Sequence, residues 1–147
     1  MLRTALLASV LTLGLAAQAS AETVAFHAKM SADQEVPPKT SGGTGEADAT
    51  VDTTAKTLTY KVTWTGLTGP ATMAHFHGPA GPGENAGVLV PINGLNPKSP
   101  PKSPATGKAK LTDAQVKAFL AGKVYANVHT AANPGGEIRG QMMRAKP

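Results

Sequence analysis

"TLTYKVTWTGL", residues 57–67, sets Leu58, Tyr60, Val62 and Trp64 on one side of an extended chain and Thr59, Lys61 and Thr63 on the other. A period of two marks a half-buried β-strand, because successive side chains of a strand point to opposite faces. The threonines suit the pleated outer surface. Just upstream, "GEADATVD" (45–52) turns Ala47, Ala49 and Val51 inward by the same rule, and "DTTAKT" (52–57) supplies a turn, so the two segments read as a hairpin. "TVAFHAKM" (23–30) repeats the alternation with Val24, Phe26, Ala28 and Met30 inward.

Working outward, further strands fall at 72–77, at "GVLVPI" (87–92), at "KVYANVHT" (123–130) and at "GEIRGQMM" (136–143). Seven or so short strands at this spacing predict an all-β fold, a Greek-key-like antiparallel β-sandwich. One short crossover helix interrupts them: in "LTDAQVKAFLAG" (111–122) Thr112 is the N-cap, Gln115 completes a capping box and Gly122 ends the helix. "NPKSPPKSPATG" (96–107) holds too many prolines for a sheet and reads as an extended, exposed loop. "QEVPP" (34–38) reads as a rigid corner and "GPAGPGENAG" (78–87) as a turn, since it lacks the lysine and following helix of a phosphate loop.

Arg3, the apolar run "ALLASVLTLGLAA" (5–17) and the small-residue "ASA" (19–21) have the order of a secretory leader, so residues 1–21 are expected to be removed and a single domain, 22–147, exported to the periplasm or secreted. The run is too short for a membrane span, which argues against membrane insertion. Thiolate chemistry is excluded because the chain has no cysteine. The formal charge of +5 is spread over scattered lysines, and Phe26, Tyr60, Trp64 and Phe76 all fall at core positions. Nucleic-acid binding therefore has neither a basic stripe nor a stacking platform.

Two of the four histidines sit one residue apart in "MAHFHGPAGPG" (73–83). Strand alternation puts His75 and His77 on one face, opposite Ala74 and Phe76, looking outward or toward a loop. His129 lies off the core by the same rule, beside Tyr125 and Asn127, and His27 lies opposite Phe26. Each alone reads as an ordinary surface histidine, but an H-x-H pair joined by a third imidazole from a neighbouring strand makes a nitrogen-rich metal site. Copper is the expected ion, because its divalent form heads the affinity order for nitrogen ligands, and zinc is the alternative. His27 is a candidate fourth ligand. Met73 shares the face of His75 and is either a thioether ligand for reduced copper or a space-filler at a sheet edge, and Met142 and Met143 carry the same two readings. Glu137 and Arg139 alternate with Ile138 on an outward face and would flank the site.

"SADQEVPP" (31–38), "GTGEADATVD" (43–52), "LTYKVTWTGLTGPATMAHFHGPAGPGENAGVLV" (58–90) and "LAGKVYANVHTAANPGGEIRGQ" (120–141) resemble the CHRD domain, a family first named from chordin and common in exported bacterial proteins. That resemblance implies an all-β domain without implying an activity. The order His75, His77, His129, Arg139 is also similar to that of the copper ligands and the anion-guiding arginine of copper-zinc superoxide dismutase. No disulfide, bridging histidine or zinc set is present, so the likeness implies a copper-only site with Arg139 attracting superoxide. Three classes of function follow: an exported protein that binds or handles copper, a dismutase-like enzyme, and a metal-free protein interaction module.

Overall fold

The computed structural model describes residues 22–92 and 99–146. Residues 1–21, expected to be a leader, and the start of the proline-rich segment lie outside these described residues. Among the described residues nine strands form: β1 Thr23–Ser31, β2 Thr44–Asp52, β3 Thr57–Thr65, β4 Ala71–His77, β5 Val88–Pro91, β6 Ala105–Lys110, β7 Tyr125–Thr130, β8 Ile138–Gln141 and β9 Met143–Arg144. The helix α1 spans Asp113–Leu120. Among the described residues no helix is long and apolar enough to cross a membrane.

Local chemistry sets the boundaries of these elements. Asp52 accepts from the amides of Thr54 (3.0 Å) and Ala55 (2.7 Å), which closes the tight β2–β3 hairpin. At the start of α1 the Thr112 hydroxyl accepts from the Gln115 amide (3.2 Å) while the Gln115 side chain accepts from the Thr112 amide (2.8 Å). This reciprocal box satisfies two donors that a helix start otherwise leaves bare. Beyond the helix Gly122 takes a positive φ of 68°, the left-handed conformation that glycine adopts without strain.

The strands pair antiparallel in the order β5-β4-β7-β8-β1-β2-β3-β6, with β9 continuing along β1. Helix α1 carries the chain from the edge strand β6 to β7 in the other half, so the sheet folds over on itself as a nearly closed, sandwich-like all-β domain. Rings fill the space between the halves: Phe76 of β4 meets Tyr60 of β3 with centroids 5.6 Å apart, and Phe119 of α1 lies 5.8 Å from Phe76 and 5.6 Å from Phe26. The Tyr60 hydroxyl donates to the Ile92 carbonyl at 3.0 Å and ties β3 to the chain just past β5. Burying each aromatic ring contributes roughly 1.5–3 kcal/mol.

Two readings change. Ala105 to Gly107 are not loop but the start of β6, which pairs with β3 from Val62↔Ala105 onward. The prolines end at Pro104, and the strand that follows, "ATGKAK", has too few large apolar residues to show the alternation. Trp64 is only half-buried against the rim of the core, because it sits one residue from the end of β3.

Candidate metal centre

His75 and His77 stand on β4 and His129 on the neighbouring β7, where Met73↔His129, His75↔Asn127 and His77↔Tyr125 are the paired positions. Alternation aims these side chains away from Ala74, Phe76, Ala126 and Val128, all of which are fully buried in the core. One ligand atom from each imidazole lies within 4.8 Å of the others. Four-coordinate binding at 2.0–2.1 Å would place ligand nitrogens about 3.4 Å apart, so the cluster needs little adjustment to hold one ion.

Much of this face is closed to solvent. His77 and His129 are buried, at 8% and 6% exposed, and His75 is half-buried. Every residue of β7 is buried on both sides. The alternation places the histidines off the core, but the 78–87 loop closes on His77 through Ala86, the 131–136 loop closes on His129 through Pro134, and residues 35–39 lie beside His77. Burial matters because it disfavours the imidazolium. It drives the His75 pKa down to about 4, helped by the neighbouring charges of His129 and His77. Burial also lowers His77 and His129 against the opposing pull of their backbone hydrogen bonds. All three shifts run toward the neutral imidazole, the form that ligates.

Hydrogen bonds fix which nitrogen is free. His77 Nδ1 lies 3.0 Å from the Ala86 carbonyl and His129 Nδ1 lies 2.9 Å from the Pro134 carbonyl. A carbonyl only accepts, so each Nδ1 carries the proton and each Nε2 presents a bare lone pair. His129 Nε2 meets His75 Nδ1 at 3.1 Å, while His77 Nε2 is buried and has no partner among the described residues. A buried polar atom without a partner is costly, and a bound cation is one way to satisfy it. The loops leave a cavity of about 320 Å³ beside His77, bounded by Glu35, Lys39, Asn85, Tyr125 and Asn127.

Other candidates are placed elsewhere. His27 stands on β1, part-exposed and 2.8 Å from Asp48, outside the imidazole cluster. Met73 is 42% exposed across from His129, Met142 is fully buried in the core, and Met143 pairs with His27 on β1. Arg139 is not an outward-facing guide for anions, since it is 2% exposed and its guanidinium is committed to Asn85 Oδ1 (3.0 Å) and to the carbonyls of Glu84 and Gly81. Glu137 is fully buried. It accepts from Ser41 Oγ (2.5 Å), the Thr68 amide (2.7 Å) and hydroxyl (2.6 Å), Thr130 Oγ1 (2.5 Å) and Asn133 Nδ2 (3.3 Å). Burial alone would raise its pKa, but the bonds from Ser41, Thr130 and Thr68 prevail and hold it at about 2.

Sequence reasoning missed Glu35, which the "QEVPP" corner carries beneath the surface. Burial raises its pKa to about 7, against the charge of Arg139, the hydrogen bond from Asn127 Nδ2 and the charge of Lys39. Gly136, at φ 128°, makes room for this pair: a Cβ there would come within 2.5 Å of Asn127 Nδ2 and 2.6 Å of Glu35 Oε1. No periodic signal marks such residues, because they sit on loops.

The fold and the cluster together define an all-β domain with three neutral imidazoles under a loop cover. The chain belongs to the CHRD domain family, whose model matches residues 26–142. No curated protein and no solved structure matches the chain. The likeness to copper-zinc superoxide dismutase therefore remains a matter of residue order.

Proposed function

We propose that this CHRD domain binds a transition-metal ion through His75, His77 and His129, with copper as the ion and zinc as the alternative. The observation that carries the reading is the convergence of one nitrogen from each of three imidazoles within 4.8 Å, in a cluster where His77 Nε2 is buried and has no partner among the described residues. The donor set fits the ion: all-nitrogen, uncharged and free of thiolate, it favours copper(II) over harder cations. The reading also has the protein exported, with the leader-like residues 1–21 removed, so that copper is met outside the cytoplasm. Binding or handling is preferred over dismutation, because the Arg139 guanidinium that would steer superoxide is buried and held by loop carbonyls. A metal-free interaction module would have no use for a buried, unpartnered imidazole nitrogen.

Copper titration followed by thermal unfolding tests the proposal, since a ligand specific to the native state must raise the melting temperature. A saturable rise with one copper per chain, absent from the His75→Ala/His77→Ala protein, is the expected result. An identical response in that variant would sink the reading.

A further inference from the structure

The 78–87 loop is built of glycine, proline and short polar residues, yet it is held at several points by two buried side chains. Ala86 is the hub. Its carbonyl faces both His77 Nδ1 (3.0 Å) and the Tyr125 hydroxyl (3.2 Å), and its amide donates to the same hydroxyl at 3.2 Å. The Tyr125 ring stacks on His77 with centroids 4.9 Å apart and planes within 4°. Strand β7 lies between β4 and β8, so Arg139 of β8 reaches Tyr125 from the side away from His77, and its guanidinium carbon lies 3.5 Å from the ring centre. The same guanidinium holds Asn85 Oδ1 and the carbonyls of Glu84 and Gly81, while Asn85 Nδ2 donates to the Val36 carbonyl at 3.1 Å.

We infer that Tyr125 and Arg139 are positioning residues that fix the 78–87 loop, so that Ala86 holds His77 with its proton on Nδ1 and leaves Nε2 bare. Partners of this kind set the tautomer and ring orientation of a ligating histidine, and losing one weakens metal affinity roughly ten- to a hundredfold. The affinity consequence rests on the metal-binding reading above, whereas the tautomer itself does not.

The test uses Tyr125→Phe, which keeps the stacked ring but loses both bonds to Ala86, and the exposed Asn85→Ala, which removes one of the three holds of Arg139 on the loop and the bond to the Val36 carbonyl without touching the core. Nitrogen-15 NMR of the metal-free protein reads the His77 tautomer directly. The parent is expected to show a single Nδ1–H form, and each variant a mixture of the two tautomers with copper(II) affinity lowered about tenfold or more. A His77 spectrum unchanged in both variants would overturn the inference. A parent that shows the single tautomer and loses it in the variants, yet takes up no copper, would sustain the inference and remove the metal reading alone.

Discussion

The two outer faces of the sheet come from the same alternating pattern and end in opposite environments. On β1–β2–β3 the outward residues Lys29, Glu46, Asp48, Thr59 and Lys61 are exposed, and His27 is only partly shielded beside Asp48. On β4–β7–β8 the outward set of His77, Tyr125, Asn127, His129 and Arg139 is buried under loops. An exposed polar residue is satisfied by water wherever it points. A covered one must find a protein partner, which is why Arg139, Asn127 and Glu137 each end on named oxygens or donors; among the described residues His77 Nε2 and Gln141 Oε1 are the buried side-chain atoms without one.

The largest effect expected from this contrast belongs to Glu137. Glu137→Ala strands the donors of Ser41, Thr68, Thr130 and Asn133 and should cost about 3–5 kcal/mol in urea unfolding at pH 7. A loss below about 1 kcal/mol would show that burial of this carboxylate matters little. Next comes the metal response: at copper a hundredfold above Kd the parent gains about 2.7 kcal/mol, roughly 10 °C in Tm, and His75→Ala/His77→Ala gains nothing. His27→Ala should retain the full gain, because it lies outside the cluster.

A smaller difference concerns pH in the metal-free protein. The His75 pKa falls from an ordinary 6.5 to about 4, so its contribution is fully present above pH 6.5 and is lost as pH falls toward 4. Glu35 has the opposite sign: raised from 4.5 to about 7, it favours the folded state below pH 4.5, and that contribution is lost as pH rises through 7. The two oppose each other between pH 4.5 and 6.5. Glu35→Gln should leave a stability that climbs with pH across that interval, measured as the urea midpoint, and a profile matching the parent's would refute the assignment. Smallest of all, Asp48→Ala on the open face should change stability by less than about 0.5 kcal/mol, its bond to His27 being a surface pair.

Much of this contrast was legible in the chain, and the part that was not has a physical cause. Alternation in "MAHFHGPAGPG" and "KVYANVHT" assigns each side chain to a face, which groups His75, His77 and His129 as the structure does. Alternation cannot say what lies above a face. His27 and His77 obey one rule, and only the loops covering β4 and β7 separate them. Those loops follow no period, so Glu35 in "QEVPP" and Ala86 in "GPAGPGENAG" left no signal, and Arg139 looked like a surface cation. The capping box of α1 was readable because its partners are three residues apart, whereas β6 is too poor in large apolar residues to announce itself.

Copper-edge X-ray absorption on the protein loaded with one equivalent of metal examines the convergence of the three rings most directly. One ion per chain with three imidazole nitrogens at about 2.0 Å is expected, with loss of that signature in the His75→Ala/His77→Ala protein. A bound ion surrounded by oxygen donors alone, or a spectrum the double substitution leaves unaltered, would contradict it.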